Sequence, residues 1–253
     1  MRILAFTDLD DTLFQTARKL PEALRAQAAT VDRDGEPHSF MTAHQVHLLT
    51  HLLQDATVIP VTGRDEDAYA RVTLDFPSWA ILNHGATVLR PGGTRDRIWD
   101  SVITEVLEGT DQQLRFAAQA AEHISMLEQL DCTVRLHETN GLPMMVVVKH
   151  PYALQHSLDR MASAWQEWLA DARINLRYFA NGNNLTLIHP DITKEAAVQY
   201  VLEQERQDDE PVFTVGLGDS LADAPFMNLL DFAVTPRDSQ IMRALLDTPL
   251  EQR

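Results

Sequence analysis

Two carboxylates, Asp8 and Asp10, lie two residues apart directly after a short apolar run, Ile3-Leu4-Ala5-Phe6. The run is typical of a buried strand in a parallel sheet, and open α/β sheets bind ligands beyond the carboxyl ends of such strands. Positions two apart in an extended segment point the same way, so both carboxylates can face one point in space. One could attack a phosphorus atom while the other handles the leaving-group proton, and a hard cation could offset their repulsion. An acidic turn after a strand is the alternative interpretation.

Other polar residues follow further along the chain, each at the end of a predicted strand or at the start of a predicted helix. These residues are Thr62, Gly63 and Arg64 after the run 57–61, Lys194 near a helix start, and Asp219 and Asp223 after the run 212–215. Taken singly, each has an ordinary structural explanation as a helix cap, a surface charge or a solvated lysine. Their order along the chain favours a shared site.

A phosphoryl-transfer site needs a nucleophile, a proton donor and donors for the phosphoryl oxygens. Asp8 would attack phosphorus, and Asp10 would protonate the leaving alkoxide and later deprotonate water. Thr62, with the backbone amides that Gly63 leaves accessible, would bind phosphoryl oxygens, and Lys194 would neutralise charge.

The same site needs a metal ion. Asp8, Asp10 and Asp219 offer oxygen ligands of the kind that Mg²⁺ prefers, and Asp223 would orient a ligand or a bound water from one helical turn further on. The histidines His44, His47 and His51 share one face of a predicted helix and offer zinc as an alternative. An exposed helix face is the favoured interpretation of the three histidines, because no carboxylate or cysteine nearby completes a ligand set.

The composition is that of a globular protein, with 253 residues, 45% of them hydrophobic and 23% charged. The formal net charge of −16 disfavours nucleic acid and anionic membranes as partners, and an anionic substrate would need cations concentrated at the site. The single Cys132 excludes an internal disulfide and predicts a cytoplasmic protein, and the early acidic cluster predicts that no signal peptide is present. We expect a small-molecule partner and a monomer or small homo-oligomer.

Apolar runs alternate with helical patterns at both ends of the chain, which predicts parallel βα units. In the first of these regions, Asp34-Gly35 favours a hairpin within 27–40, Thr42 is the predicted N-cap of a helix that reaches about Gln54, and a short helix is predicted at 66–74. The middle differs. It contains predicted hairpins, one of them between 87–89 and 97–99, and long helices at about 101–130 and 152–170. This pattern predicts a parallel-sheet domain, 1–86 with 185–253, into which an α+β domain is inserted at 87–184.

The chain resembles the haloacid dehalogenase-like (HAD) phosphohydrolase superfamily in four segments that occur in the family's order. They are 8–12 (Asp-Leu-Asp-Asp-Thr), 61–64 (Val-Thr-Gly-Arg), Lys194 at a helix start, and 218–223 (Gly-Asp-Ser-Leu-Ala-Asp). The long insertion resembles the C2 cap of the Cof-like and sucrose-phosphatase-like branch. The resemblance implies an α/β protein with a Rossmann-like parallel-sheet HAD core and an inserted α+β C2 cap.

The chain also departs from the family's pattern. Asp11 replaces a common Gly, His84 interrupts an Asn-Gly pair at 83–85, Glu195 follows Lys194 where Gly is frequent, and Ala222 stands where many relatives have Asn. Substrate choice is expected in the cap, and the candidate contacts there are Asn181, Asn183, Arg135, His137, Lys149 and Arg177. Arg18 and Lys19, beside the first motif, could also face the site.

The resemblance implies a Mg²⁺-dependent phosphatase that hydrolyses a small phosphorylated metabolite, a sugar phosphate in the first instance, through an aspartyl phosphate on Asp8. Thr62, Gly63 and Arg64 would bind the phosphoryl group. Two alternatives remain open. A phosphosugar mutase of similar architecture would protect the aspartyl phosphate from water, and a non-catalytic phosphometabolite-binding protein would tolerate loss of Asp8 or Asp10.

Overall fold

The structure is a computed structural model, and it describes residues 1–206 and 211–247. The chain separates into two compact units, one formed by residues 1–96 and 193–253 and the other by residues 97–192. Within the described ranges, no helix combines the length and the apolar character needed to cross a membrane. The predicted domain boundaries, with the cap at 87–184, stay a prediction.

The strands are β1 (Arg2–Thr7), β2 (Gln15–Thr16), β3 (Gln27–Val31), β4 (Pro37–Met41), β5 (Ala56–Pro60), β6 (Ala80–Leu82), β7 (Thr87–Leu89), β8 (Thr133–Thr139), β9 (Leu142–Lys149), β10 (Arg177–Asn181), β11 (Asn184–Ile188), β12 (Val212–Leu217) and β13 (Phe232–Val234). The α-helices are α1 (Ala43–His47), α2 (Glu66–Tyr69), α3 (Arg97–Glu108), α4 (Asp111–Leu127), α5 (Gln155–Asp171), α6 (Lys194–Glu205), α7 (Ala224–Met227) and α8 (Gln240–Asp247).

The first unit is built on a parallel sheet of order β13-β12-β1-β5. The central strand β1 carries Leu4, Ala5 and Phe6, which are fully buried. Apolar residues fit a strand that is covered on both faces, so this run forms the middle of the sheet. The α/β fold class with a parallel-sheet core, predicted from the sequence, is confirmed.

The hairpin predicted near Gly35 is confirmed as β3 and β4, which pair antiparallel around a turn in which the Asp32 carboxylate accepts hydrogen bonds from two backbone N–H groups. The predicted cap of the next helix is also confirmed, because the Thr42 hydroxyl and the Gln45 side chain form a reciprocal capping box at the start of α1. The helix continues as a π-helical segment, Leu48–Leu52.

The second unit is an antiparallel sheet of order β10-β11-β9-β8 with helices packed against it. Its core joins apolar side chains of α4 and α5 to those of β9 and β11, with Trp165 fully buried among them. The Trp165 indole N–H donates to the Ala117 carbonyl over 3.0 Å, which satisfies its one polar group in this apolar setting. This α+β layer agrees with the inserted domain that the sequence predicts.

Three local predictions are wrong. The stretch at 101–130 is not one helix, because Gly109 and Thr110 separate α3 from α4 and the Thr110 hydroxyl caps the Leu107 carbonyl. The hairpin turn at 91–93 forms, since Leu89 bridges Arg95 antiparallel and the Asp96 N–H donates to the Val88 carbonyl over 2.8 Å, but its return arm is 94–96 and not 97–99. β7 also pairs with β6, and residues 97–99 begin α3, whose face with Trp99, Ile103 and Leu107 is buried. The helix predicted at 66–74 ends at Tyr69, because the chain beyond it hydrogen bonds along β3.

Candidate active site

Three loops meet where parallel strands end. Thr7, the last residue of β1, pairs with Leu217 on one side and with Pro60 on the other. The Asp8 N–H donates to the Leu217 carbonyl over 2.8 Å, and the Val61 N–H donates to the Thr7 carbonyl over 2.8 Å. This register places the chain segments after β1, β5 and β12 side by side, so the motif residues predicted from the sequence share one edge of the sheet.

Lys194 joins two of these segments. Its ammonium group donates to Oδ1 of Asp8 over 2.7 Å and to Oδ1 of Asp223 over 2.6 Å. Thr193 caps the N-terminus of α6 by accepting the Ala196 N–H, and this cap fixes the start of the helix on which Lys194 is the first residue. All three charged side chains are buried, so the two hydrogen bonds compensate charges that would otherwise be costly to bury.

Asp223 is held from its other side by Ser220. Its Oδ2 accepts hydrogen bonds from the Ser220 N–H over 3.0 Å and from the Ser220 hydroxyl over 2.6 Å. A Cβ on Gly218 would lie 2.5 Å from the Asp223 Cβ, so glycine is required for this close approach. The sequence analysis missed the role of Ser220, although a hydroxyl three residues before a carboxylate in a turn is a signal that could have found it.

The charged groups shift one another's pKa values in different directions. Burial would raise the pKa of Asp223, but Lys194 lowers it below its ordinary value. Burial would lower the pKa of Lys194, but the neighbouring carboxylates of Asp8 and Asp223 raise it above its ordinary value, so the ammonium stays charged. Burial raises the pKa of Asp8 well above its ordinary value; Lys194 opposes this shift and the Asp223 charge adds to it. Burial, with a further contribution from Asp223, raises the pKa of Asp219 to about 6. The site therefore carries an excess of negative charge.

Asp8, Asp219 and Asp223 form a cluster that could hold a metal ion, because each offers a carboxylate oxygen within 4.8 Å of the others. The hydroxyl of Thr12 lies 3.4 Å from Oδ1 of Asp219 and donates to it. Oxygens at this spacing fit a hard cation with ligand distances of about 2 Å after small side-chain shifts. Among the residues that the structure describes, 1–206 and 211–247, no other three carboxylate, histidine or cysteine side chains bring their ligand atoms within 4.8 Å of one another. The zinc site considered for His44, His47 and His51 is therefore not formed by these residues.

Asp10 is engaged differently from the other carboxylates. Arg64 donates from Nε to Oδ2 and from Nη2 to Oδ1, both over 2.7 Å. Arg64 also donates to the Ala68 carbonyl over 3.1 Å and lies over the ring of Phe14. The structure thus pairs two residues that the sequence analysis assigned separately to proton transfer and to substrate binding.

The turn after β5 is formed by Thr62, Gly63 and Arg64. The Thr62 N–H donates to the Ile81 carbonyl over 2.8 Å, and the Thr62 hydroxyl oxygen accepts the Arg64 N–H over 3.2 Å. This contact uses a lone pair of the hydroxyl and leaves its proton for donation. The turn can therefore present a hydroxyl and a backbone amide to an anion at the edge of the sheet.

Two of the polar residues proposed for the second unit, Asn181 and Asn183, lie at the turn between β10 and β11. The Asn183 side chain donates to the His150 carbonyl over 2.7 Å and accepts the His150 N–H over 3.2 Å, so both ends of its amide bind backbone within this unit. Asn181 ends β10, and its side chain lies outside the part of the molecule that the structure describes. Arg177 begins the same strand and donates to the Ile192 carbonyl over 2.7 Å.

Comparison of the sequence with protein-family models and with curated proteins found no match. Similar folds occur among solved structures. The sucrose-phosphatase from Synechocystis sp. PCC6803, in complex with sucrose and phosphate, is 17% identical, with 97% of this chain and 87% of that chain covered and a TM-score of 0.54. The C-terminal domain of C. albicans trehalose-6-phosphate phosphatase is 15% identical, with 90% and 73% covered and a TM-score of 0.54.

A third similar structure is the N-terminally truncated, IMP-bound IMP-nucleotidase of Plasmodium falciparum. It is 10% identical, with 97% of this chain and 67% of that chain covered and a TM-score of 0.56. These structural neighbours, the parallel sheet and the four motif segments agree on one architecture. The chain has the fold of the haloacid dehalogenase-like phosphohydrolase superfamily, with an α+β unit inserted in its parallel-sheet core.

Proposed function

We propose that this protein is a phosphatase that hydrolyses a small phosphorylated metabolite through an aspartyl-phosphate intermediate. The observation that carries the proposal is the buried contact of Lys194 with both Asp8 and Asp223, beside the carboxylate of Asp219. A buried cation that joins two carboxylates at the loop edge of a parallel sheet provides a fixed nucleophile and a positive charge for an arriving phosphoryl group.

In the first step, a carboxylate oxygen of Asp8 attacks phosphorus and the bond from phosphorus to the ester oxygen breaks. Lys194 fixes the orientation of the Asp8 carboxylate through Oδ1, which lowers the cost of reaching the attacking geometry. The phosphoryl group is then on Asp8 and the leaving alkoxide takes a proton. In the second step, water attacks the aspartyl phosphate, which releases inorganic phosphate and restores the Asp8 carboxylate.

Asp10 supplies the proton in the first step and accepts one from water in the second. A carboxylate that receives two hydrogen bonds from Arg64 must release at least one of them before it can carry a proton to the leaving group. Arg64 therefore controls the orientation of Asp10, and its exchange between Asp10 and the substrate would accompany turnover.

The phosphoryl oxygens would be bound by the Thr62 hydroxyl, the Gly63 N–H and the Lys194 ammonium. These donors are fixed before substrate arrives, since Thr62 and Lys194 are both buried in the fold. Fixed donors in a water-poor site stabilise developing charge without a reorganisation cost during the reaction.

Mg²⁺ is the cofactor that the donor set fits best, because its members are carboxylate oxygens with no histidine or thiol among them. Asp8, Asp219 and Asp223 would hold the ion, and Asp10, which lies in the same loop as Asp8, would contribute a further ligand. When bound, it would neutralise the crowded carboxylates and the phosphoryl oxygens. The raised pKa values of Asp8 and Asp219 are consistent with a site that is completed by a cation.

We propose a sugar phosphate as the substrate class and the inserted unit as a cap that sets specificity. The similar structures named for sucrose-phosphatase and trehalose-6-phosphate phosphatase support this class, and the IMP-nucleotidase makes nucleotides the first alternative. Asn181 and Asn183 are the proposed cap contacts, because amides hydrogen bond well to sugar hydroxyls. The net charge of −16 argues against nucleic-acid and membrane partners, and the single Cys132 fits the cytoplasmic location that we propose. We also propose a monomer or small homo-oligomer.

The test is release of inorganic phosphate, in the presence of Mg²⁺, from a panel of sugar phosphates, glycosyl-phosphoglycerates, nucleotides and an aryl phosphate. Asp8→Asn keeps the size of the side chain and should abolish turnover. Asp67→Asn, which changes an exposed carboxylate paired with Arg71, is the control that should retain it. Turnover that survives Asp8→Asn would overturn the assignment of the nucleophile. A folded, Mg²⁺-loaded protein without turnover would favour the mutase or the binding protein.

A further inference from the structure

The antiparallel sheet of the second unit has two chemically different faces. Residues that pair across strands point to the same face, and successive residues along a strand alternate between faces. Tyr178 and Leu187 pair across β10 and β11, and both pack in the core with helices α4 and α5. The neighbouring pair, Arg177 and Ile188, therefore points to the face that lies away from these helices.

Two further cations of this sheet point the same way as Arg177. Val148 of β9 packs in the helix-facing core, so Lys149, the next residue, points to the other face. Arg135 on β8 pairs with Val147, the residue before Val148, and so shares that face. A chain of net charge −16 thus places three positively charged side chains on one face of this sheet, which favours an anionic ligand there over a neutral one.

Arg177 uses little of its hydrogen-bonding capacity within the protein. Its Nη2 donates to the Ile192 carbonyl over 2.7 Å, and its guanidinium lies over the ring of Phe179, 5.7 Å from the centroid. Its Nε is buried and has no acceptor. Throughout the part of the chain that the structure describes, no carboxylate pairs with Arg177, and burial lowers its pKa without a carboxylate to oppose the shift. One hydrogen bond therefore serves a group that has five N–H donors.

Other half-buried arginines use more of their donors. Arg64 binds both oxygens of Asp10, and Arg25 binds two backbone carbonyls. A guanidinium that is partly removed from water without such acceptors is destabilising, so packing alone would favour a neutral side chain in place of Arg177. The planar guanidinium matches the oxygens of a carboxylate or a phosphate, and such an anion would supply the missing acceptor.

We propose that Arg177 binds a second acidic group of the substrate, a carboxylate or a phosphate, so that the substrate is a phosphomonoester with two acidic groups. This inference rests on the proposed phosphatase function and narrows its substrate class. The terminal nitrogen Nη1, which binds nothing among the described residues, and the second N–H of Nη2 would make the contact. The competing role is structural, in which Arg177 only fastens β10 to the Ile192 carbonyl.

The experiment compares two pairs of compounds that differ in one acidic group. They are 3-phosphoglycerate with glycerol 3-phosphate, and fructose 1,6-bisphosphate with fructose 6-phosphate. Each compound is measured, with Mg²⁺, as a substrate and as an inhibitor of the hydrolysis of 4-nitrophenyl phosphate. The variants are Arg177→Gln, which removes the charge, and Arg177→Lys, which keeps the charge but loses the planar fork.

We expect the wild type to bind the compound with the extra acidic group more tightly in at least one pair. Arg177→Gln should reduce this selectivity by about tenfold or more, the usual effect of losing a hydrogen bond to a charged group. Arg177→Lys should keep part of the selectivity. Arg160→Gln is the matched control, because it removes an exposed arginine of α5 that pairs with Glu128, and it should keep all of the selectivity. The Tm of each variant reports separately on folding.

A structural role would weaken the binding of both members of a pair equally, and that result would overturn the inference. A wild type that does not discriminate within either pair would do the same. So would inhibition that depends on Arg177 but does not compete with 4-nitrophenyl phosphate, because the anion would then lie outside the substrate site. Each of these results would leave the phosphatase proposal intact, whereas a wild type that hydrolyses no phosphomonoester would overturn both proposals.

Discussion

Arg64 and Asp10 form a bidentate pair in which the guanidinium donates two hydrogen bonds, each 2.7 Å long, one to each oxygen of the carboxylate. Arg64 is further fixed by its bond to the Ala68 carbonyl and by the Phe14 ring beneath it. The pair therefore holds Asp10 in one orientation at the loop edge of the sheet. If Asp10 transfers protons, Arg64 is the residue that positions it.

The first prediction concerns this pair. Arg64→Lys keeps the positive charge but loses the planar fork, so we expect it to impair turnover almost as much as Arg64→Gln, by about tenfold or more. The loss should be larger for an alkyl phosphate than for an aryl phosphate, because an aryl leaving group needs little protonation. Steady-state kinetics of the variants with both kinds of substrate measures this difference.

The control for Arg64 is Arg71→Gln, because Arg71 forms an exposed pair with Asp67 on the short helix α2 and is expected to leave kcat unchanged. If Arg64→Lys behaves like the wild type on the alkyl phosphate, a charge alone is sufficient at this position. In that case the forked geometry has no role in proton transfer.

The second prediction concerns Lys194. Lys194→Met leaves Asp8 and Asp223 buried without their shared cation, so we expect a loss of about 3–5 kcal/mol in the free energy of unfolding and no measurable turnover. Addition of Asp8→Asn to Lys194→Met removes one of the stranded charges and should recover part of the stability without recovering activity. Urea unfolding of the two single variants and the double variant measures the coupling.

Two results for Lys194→Met would contradict this prediction. A variant as stable as the wild type, or a double variant that shows no recovery relative to Lys194→Met, would mean that the two hydrogen bonds of Lys194 do not compensate buried charge. The comparison is best made without a divalent cation, because a bound ion would take over part of the neutralisation.

The sequence predicted the parts of the site that depend on local pattern. An apolar run followed by Asp8 and Asp10 indicates a buried strand and its loop, and Lys194 follows a threonine that is a recognisable helix cap. Parallel strands end at the same edge of a sheet, so the strand assignments alone predict that residues after these strands lie close together. Asp8 and Asp219 are close to each other as expected.

Long-range side-chain pairing was not predictable in the same way. Nothing in local sequence indicates that Arg64 would bind Asp10, because the pairing depends on side-chain directions in two separate loops. The wrong hairpin at 97–99 has a related cause. The residues at 97–99 are compatible with a short strand when they are considered alone. Trp99, Ile103 and Leu107 lie at helical spacing, and a helix buries all three side chains, so tertiary packing favours the helix over the strand.

The third prediction concerns pH. The pKa of Asp219 is raised to about 6 by burial and by Asp223, above its ordinary value of 3.8. A raised pKa in the folded state means that Asp219 stabilises the fold when protonated, and this contribution is lost as the pH rises through about 6. Without a divalent cation, we therefore expect the free energy of unfolding of the wild type to contain a component that falls from about pH 4, near the unfolded pKa, to about pH 7, just above the folded pKa.

Asp219→Asn isolates that component, since the amide does not titrate. Its unfolding free energy should fall less steeply over the same range than that of the wild type, and Mg²⁺ should reduce the slope of the wild type because the ion binds the deprotonated carboxylates. The measurement is urea unfolding in EDTA and in Mg²⁺ at several pH values. Identical slopes for the wild type and Asp219→Asn would contradict the assignment.

The last prediction concerns the close packing of Gly218 on Asp223. A Cβ at Gly218 would lie 2.5 Å from the Asp223 Cβ and 2.8 Å from the Met227 sulfur, so Gly218→Ala must displace the carboxylate that Lys194 and Ser220 hold. We expect a loss of about 1–3 kcal/mol in stability together with weaker Mg²⁺ binding, measured by urea unfolding and by calorimetric titration. Gly109→Ala is the matched control, because a Cβ there meets no atom within 4 Å. Equal Mg²⁺ affinity in Gly218→Ala and the wild type would show that the position of Asp223 does not affect the metal, since Gly218 acts on the site through Asp223.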